Sequence, residues 1–484
     1  MKQPSSPAQA IVEHLWNHLG LPPDTLDSLN LSGTELCLPS SFKIADLAQA
    51  SIGLSALLAA QIYTLRSSSI PRVPSVTIPR HHAAIEFKSE RLYTLNGIPP
   101  PSSFGPIGGL HKTADGHIRM HDSFPHHRRH AKQLLECSPS ADRPEVSSHI
   151  ATWQALDLET AAFPAGAVIS ALRTYAEWDA LPQATAVADF PILLRRIGDA
   201  PVGLPGQLLL SADNDPDKCL RGLRVLELSR VIAAPVCGRT LAAHGADVLW
   251  VTSPNLPDLP ELDRDVARGK RTVQIELGDA GGEAEMLALL EGAHVFVQGY
   301  RPGSLAGRGF APETLARRFA HRGVVCANLS AYGPEGPWAD KRGFDSMVQT
   351  CSGMNVSEAE HYGAGEPARV MPCQALDHGA GYFLASGIMA ALYKQATEGG
   401  SWEVNVSLAG VMKYLRSLGQ YEGTSGFQAE DYVSVVDVPA EYMESRQTAF
   451  GEMTAMRHAA RIEGVQVGWD LMPKPLGSDE KKWL

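Results

Sequence analysis

The chain has 484 residues, which is too many for one simple core, so its length predicts two or more domains. A net charge of −11 gives no general attraction to nucleic acid or to an anionic membrane surface, and any anionic ligand must be held by a local basic cluster. Seven scattered cysteines without a Cys-x-x-Cys pair indicate a reduced protein that lacks a structural zinc site. We expect a cytoplasmic protein with no metal and no nucleic-acid or membrane partner.

The first 200 residues contain one long predicted helix, followed by short pieces rich in proline and histidine. The helix reads DLAQASIGLSALLAAQIYTLRS, and its apolar stretch is too short and too polar-flanked to span a bilayer. The N-terminus lacks the apolar core of a signal peptide. No carboxylates stand at metal-ligand spacing from the histidines of the later pieces, so we interpret these residues as parts of polar loops. They are His81, His82, His126, His127 and His130.

A regular pattern begins after a polar, turn-rich stretch that predicts a linker over residues 212–221. From there, short β-rich runs alternate with helices of about ten residues, which is typical of a parallel, doubly wound sheet. The predicted strands are LRVLEL, ADVLWVT, RTVQIEL, HVFVQG, VVCANLS and WEVNVSL. We therefore predict an α/β fold with a Rossmann-like sheet over 222–415, a closing segment over 416–484 and a separate N-terminal part over 1–211.

Two helical segments align with each other without a gap. FKIADLAQASIGLSALLAAQIYTLR begins at Phe42, and CQALDHGAGYFLASGIMAALYKQAT begins at Cys373. Asp46 then aligns with Asp377, and a β-like run follows each helix. Because small-residue helices also resemble one another by chance, this alignment alone leaves internal duplication and coincidence both open.

The second half of the chain contains several segments that occur in the order of one known family. They are GLRVLELSRVIAAPVCGRTLAAHGADVLWV, ARGKRTVQIEL, VFVQGYRPGSLAGRGF, NLSAYGPEGPWADKRGFDSMVQTCSGM and ALDHGAGYFLASGIMAAL. In this order they resemble the class III CoA-transferases, the family of formyl-CoA:oxalate and carnitine CoA-transferases, to which the α-methylacyl-CoA racemases are related. The resemblance runs from Gly222 to about Leu415, and it implies the class III CoA-transferase fold.

The resemblance also organises the N-terminal part. Residues 42–205 are similar to the second half of such a protein, including its smaller α+β domain, whereas 222–410 are similar to the first half. This favours a tandem duplication in which each copy lost a complementary part, so that 1–211 is a partial copy. Family members form interlocked homodimers, and we expect residues 105–125 to meet the cleft of Asp377, within one chain or between two.

The resemblance implies transfer of CoA from an acyl-CoA to a carboxylic acid through an anhydride and an enzyme–CoA thioester on a carboxylate. The family's nucleophilic Asp corresponds to Asp377. We expect Gly379 and Gly381 to leave room for substrate, and the helix N-terminus to supply oxyanion donors. The alternative is a helix N-cap at Asp377, worth roughly 1 kcal/mol. At Asp46 a structural cap or a relic is expected.

CoA is expected as a substrate thioester and not as a resident cofactor, and its phosphates require basic residues. Arg230 is one such basic candidate. Family position and charge predict CoA contacts at Val231, Ile232, Ala233, Lys270, Arg271, Gly299, Tyr300, Arg301, Arg308 and Arg342. The chain departs from the family where Thr252 and Ser253 follow the second strand and where Gly299 replaces an Asn, which leaves open a different or weaker hold on CoA.

Two alternatives to the transferase remain. The racemase branch uses a His/Asp pair within a Gly-His-Asp motif, and Phe344 stands at the histidine position, where it cannot move a proton. A non-catalytic homologue retained for binding or assembly is the other alternative, because half a domain is missing and the CoA contacts are altered. The sequence names neither the donor nor the acceptor acid.

Overall fold

The structure is a computed structural model that describes residues 6–66, 70, 72–208 and 217–484. In it, the apolar runs form strands and the small-residue segments form helices. Of the predicted linker 212–221, residues 212–216 lie outside the described residues. The helices are α1 Pro7–His18, α2 Ile44–Arg66, α3 Arg80–Glu86, α4 Pro125–Leu134, α5 Arg143–Ile150, α6 Ala155–Ala165, α7 Tyr175–Asp179, α8 Pro182–Ala186, α9 Ala233–Ala243, α10 Pro260–Val266, α11 Ala280–Gly292, α12 Pro312–Arg318, α13 Asp345–Cys351, α14 Met354–Tyr362, α15 Ala375–Glu398 and α16 Leu408–Ser417. The strands are β1 Leu29–Ser32, β2 Val76–Pro79, β3 Thr94–Leu95, β4 Gly109–Lys112, β5 His117–Met120, β6 Ile169–Ala171, β7 Leu193–Gly198, β8 Arg224–Leu228, β9 Asp247–Thr252, β10 Lys270–Gln274, β11 Val295–Gln298, β12 Val325–Ser330, β13 Ser401–Ser407, β14 Met443–Thr448, β15 Gly451–Met456 and β16 Arg461–Ile462.

The main sheet has the strand order β10-β9-β8-β11-β12-β13-β7, and every neighbouring pair is parallel except β13 with β7. Helices cover both faces: Val225 of β8 packs into the core that holds α9 and α15, whereas Leu226 packs into the core that holds α11 and α12. Burial on both faces explains the continuous apolar runs in the sequence. The predicted α/β class with a doubly wound, mostly parallel sheet is confirmed.

The N-terminal part contributes a strand to this sheet. β7 pairs in antiparallel fashion with β13, and Arg195 donates a hydrogen bond to Glu403 across the pair at 3.0 Å. The main hydrophobic core likewise contains residues from α1 and α2 together with residues from α9 and α15. Residues on both sides of the predicted linker therefore share one sheet and one core.

The aligned helices α2 and α15 lie against each other in the core, and each leads into a strand with a parallel partner. β2 follows α2 and pairs with β1, while β13 follows α15 and pairs with β12. By length and composition α2 could cross a membrane, but its most apolar 18-residue window is buried throughout inside the fold. The two aligned segments thus occupy similar β-α-β settings.

A smaller unit is built from β4, β5 and β6, which form an antiparallel sheet, and from α4, α5 and α6. It has a hydrophobic core of its own, which includes Ile118, Leu135, Ile150 and Leu158. The predicted smaller α+β domain is confirmed. The clustered histidines differ from the prediction, because they lie on the helices α3 and α4 and not in polar loops.

Candidate active site

Asp377 is the third residue of α15, and Gln374 is the N-cap of this helix. The N-cap interpretation of Asp377 is therefore wrong. Asp345, the first residue of α13, does the capping: its Oδ2 accepts hydrogen bonds from the backbone N–H groups of Leu376 and Asp377 at 2.8 and 3.1 Å. Since these donors are engaged, the first turn of α15 does not offer them to an oxyanion, contrary to the sequence expectation.

The Asp377 carboxyl group is buried beside other acids. The residue is 6% exposed, and within the described parts of the chain no group donates a hydrogen bond to its carboxyl oxygens. Burial, followed by the negative charges of Asp345 and Glu90, raises the pKa of Asp377 well above its usual value. Such an environment is costly for a carboxylate and is typical of a functional position.

Glu90 is an ionised carboxylate whose negative charge acts on Asp377. Its Oε2 lies 2.9 Å from Nε2 of His378, and its Oε1 accepts a hydrogen bond from Arg91 at 3.1 Å. Burial acts to raise the pKa of Glu90, but its hydrogen bond and charge interaction with His378, together with Arg91, hold that pKa below the usual value. Glu90 therefore stays ionised and repels a second charge at Asp377.

We expect Asp345→Asn to shift the pH dependence of Asp377 ionisation to lower pH. Asp345 raises the pKa of Asp377 by its charge, and Asn removes that charge while its side-chain oxygen still accepts from the α15 backbone. If Asp377 is the nucleophile, as the family resemblance implies, it reacts only when ionised, so the rate should rise with pH through its pKa. The measurement is the rate of covalent CoA attachment to the protein against pH.

The matched control for this variant is Asp142→Asn, which also alters a helix-capping carboxylate. Asp142 caps α5, where it accepts a hydrogen bond from the backbone N–H of Glu145 at 3.0 Å. This control should keep the wild-type pH profile. If the pH profile of the rate in Asp345→Asn is unchanged, or displaced toward higher pH, the increase of the rate with pH does not report the ionisation of Asp377.

The glycines after Asp377 pack α15 against its neighbours. A Cβ on Gly381 would lie 2.6 Å from the carbonyl oxygen of Ala233, and one on Gly379 would lie 3.1 Å from Val411. These contacts are with helices α9 and α16, so the expectation that both glycines leave room for substrate is wrong. They instead let the helices approach closely and fix the position of Asp377.

The loop between β8 and α9 holds a strained backbone next to Asp377. Val231 has φ +73°, in a region that β-branched residues rarely adopt and that costs about 1–3 kcal/mol. Val231 and Ile232 line two cavities, and Asp377 and Phe344 line the same two. These four residues therefore form the boundary between the cavities, and strain of this kind concentrates at functional positions.

The first cavity, which we call the basic cavity, has a volume of about 380 Å³. It is lined by Asp377 together with most of the residues predicted to contact CoA. They are Arg230, Val231, Ile232, Ala233, Gly299, Tyr300, Arg301 and Arg342. Arg230 lies with its guanidinium carbon 4.4 Å from the ring centre of Phe124 and donates to the carbonyl of Pro257. The cluster could hold an anionic ligand beside Asp377.

Three predicted CoA contacts lie elsewhere. Lys270 is buried, and its Nζ lies 2.9 Å from Glu227. Arg271 pairs with Asp247 at 2.8 Å. Arg308 pairs with Glu283 at 2.8 Å and lines a neighbouring cavity of about 680 Å³, together with Tyr300, Thr252 and Ser253. Lys270 and Arg271 are therefore engaged in ion pairs with carboxylates of β8 and β9, and neither lines the basic cavity.

Residues 105–125 were expected to meet the cleft of Asp377 within one chain or between two, and in this structure they do so within one chain. His121 and Phe124, together with the preceding Phe104, line the cavities that meet at Asp377. His121 was missed by sequence reasoning. Its ring stacks on Phe344 with centroids 3.8 Å apart, and burial, with a smaller effect of Arg119, lowers its pKa to about 3. The sequence feature that could have identified His121 is its position as a polar residue directly after β5.

Residues 220–443 match the model of CoA-transferase family III. The predicted resemblance to class III CoA-transferases is thus confirmed over the part of the chain that contains the main sheet, the strained loop and Asp377.

Individual relatives cover similar parts of the chain. An acetyl-coenzyme A transferase of Hypoxylon pulicicidum is 32% identical over 44% of this chain and 36% of its own length. A probable fatty acyl-CoA transferase of Mycobacterium tuberculosis, Rv3272, is 30% identical over 40% of this chain and 52% of its own. The crystal structure of Rv3272 matches with a TM-score of 0.38 and 29% identity, over 42% of this chain and 56% of that one. The chain spans about half or less of the length of these curated relatives.

Proposed function

We propose that the protein transfers CoA from an acyl-CoA to a carboxylic acid, with Asp377 as the nucleophile. The observation that carries the proposal is the buried, unpartnered carboxyl group of Asp377 at the junction of two cavities, one of which is lined by arginines. Helix capping does not explain an aspartate at position 377, because Asp345 caps helix α15. The match to CoA-transferase family III supports the same reaction class.

The reaction needs no external oxidant or reductant. The Asp377 carboxylate attacks the thioester carbonyl, forms a C–O bond and breaks the C–S bond, which releases CoA thiolate. The thiolate attacks the Asp377 carbonyl of the anhydride and releases the donor acid as carboxylate. The acceptor carboxylate then attacks the enzyme–CoA thioester, CoA leaves again, and its return to the acceptor acyl group of the new anhydride regenerates Asp377.

The basic cavity is assigned to CoA in this proposal. Arg230, Arg301 and Arg342 would face its phosphates, and the loop from Val231 to Ala233 would lie beside its thiol arm. Burial raises the pKa of Asp377, so less of it is ionised at a given pH, but the ionised form is a stronger nucleophile than a fully hydrated carboxylate because it is poorly solvated. A cytoplasmic homodimer is the form in which we expect the enzyme to act.

Mass spectrometry of the intact and digested protein after incubation with acyl-CoAs tests the proposal. We expect CoA to be attached in thioester linkage to the peptide that contains Asp377, and removed by addition of an acceptor acid. Attachment at another residue, or the absence of any adduct across a panel of acyl-CoAs, contradicts the assignment.

Racemisation next to the thioester is the alternative with a structural basis, because His121 and Asp377 line the same cavity. The lowered pKa of His121, about 3, makes its imidazole a weak base for a carbon-bound proton, and this favours transfer. Incorporation of deuterium from D2O at the carbon next to the thioester would support the racemase instead.

A further inference from the structure

The second cavity that meets Asp377 differs from the basic cavity in the charged groups that line it. It has a volume of about 290 Å³, near the lower end for small-molecule sites. We call it the apolar cavity, because most of its wall is apolar and it lacks the cluster of arginines that lines the basic cavity. The apolar side chains that line it, apart from those shared with the basic cavity, are Pro99, Pro100, Pro101, Phe104, Leu259, Leu262 and Val433. At this wall, Phe104 is 47% exposed and Val433 is 77% exposed, so they present apolar surface for a ligand to cover.

The charged groups of the apolar cavity are mostly acidic. Glu90 and Glu261 lie on its wall together with Asp377, and the one guanidinium among its lining residues is that of Arg91. Arg91 already donates a hydrogen bond to Glu90 at 3.1 Å. The imidazole of His121 is neutral near pH 7, because burial lowers its pKa to about 3. A second carboxylate brought into this cavity would meet three carboxyl groups and a single guanidinium, which is already paired with Glu90.

We propose that the apolar cavity holds the acyl group, and that both donor and acceptor acids are apolar monocarboxylic acids, aliphatic or aromatic. This inference rests on the proposed function. Asp377 lies between the two cavities, so a thioester carbonyl at Asp377 would place CoA on the arginine side and the acyl group on the apolar side. A dicarboxylic acid would put its second charge against Glu90 and Glu261, and should bind more weakly on that ground.

Binding to the Asp377→Asn protein tests the inference without turnover. Isothermal titration with hexanoate, phenylacetate and succinate should show the two apolar acids binding at least roughly tenfold more tightly than succinate. Equal or tighter binding of succinate overturns the inference. This readout is separate from the proposed function, which fails if wild-type protein forms no CoA adduct at Asp377 with any acyl-CoA.

A charge placed on the cavity wall provides a second test. Phe104→Arg adds a cation at a half-exposed position, so it should weaken hexanoate binding and strengthen succinate binding, each by roughly tenfold. Val202→Arg, at an apolar residue that is 64% exposed and does not line the cavity, is the matched control and should leave both affinities unchanged. Unchanged affinities in Phe104→Arg, or the same shift in the control, overturn the inference.

Discussion

Asp377→Asn is expected to lower acyl transfer by at least about 10³-fold, because an amide cannot form the anhydride. CoA binding should persist, since the arginines of the basic cavity are untouched. Stability should rise at pH 8 by on the order of 1 kcal/mol. The sign follows from the raised pKa of Asp377: the folded state favours its protonated form, so the wild type loses stability as pH rises through that pKa, whereas Asn carries no charge. Steady-state kinetics and thermal melts at pH 6 and pH 8 measure both effects.

Asp157→Asn is the matched control for this experiment. Asp157 is also the third residue of a helix, α6, but it is exposed and lines neither cavity. The control should keep wild-type turnover and show no gain in stability at high pH. Wild-type turnover in Asp377→Asn would remove Asp377 from the mechanism. Asp46 is a poor control, because it pairs with the buried Arg80 at 2.6 Å and its loss would leave that cation unpartnered.

Asp265→Ala is expected to destabilise the fold by about 3–5 kcal/mol. The Asp265 carboxylate is fully buried and accepts hydrogen bonds from Arg239, Arg268 and Ser89, so its removal leaves two buried guanidinium groups without their carboxylate. The cluster joins α9 and α10 to the segment after α3, and Arg268 also donates to the carbonyl of Met456 in β15. Denaturant unfolding at pH 7 measures the loss.

An exposed ion pair provides the comparison. Glu291 pairs with Arg318 at 2.6 Å near the surface, and Glu291→Ala should change the free energy of unfolding by no more than about 1 kcal/mol. A loss for Asp265→Ala that is as small as this would show that the buried arginines find other partners.

The central strands could be predicted from sequence because helices cover both faces of a parallel sheet, which makes each strand a continuous apolar run. β7 could not be found in this way. Its sequence, LLRRIG, has exposed arginines in the middle, since it is an edge strand with one neighbour. Its place in the sheet depends on pairing with β13, about 200 residues later, and local patterns carry no information about that partner.

In the candidate site, likewise, the sequence located some residues, whereas the roles of others became clear only from the structure. Asp377 and the loop around Val231 were located by family position, and the structure places them together. The roles of Lys270 and Arg271 depend on side chains from other strands of the sheet. Glu227 on β8 pairs with Lys270, and Asp247 on β9 pairs with Arg271. Asp345 lies far from Asp377 in sequence, and only the packing of α13 against α15 shows that it caps that helix.

The place of β7 has a consequence for folding during synthesis. Its partner strand β13 begins at Ser401, so roughly 200 residues must be translated after β7 before the two can pair. At about 5–20 residues per second this takes roughly 10–40 s. The delay is longer for helix α2, because about 310 residues separate its end at Arg66 from the start of α15 at Ala375. The N-terminal part therefore leaves the ribosome with apolar surface that it cannot bury alone, and we expect chaperones to bind nascent chains in this interval more than chains released complete.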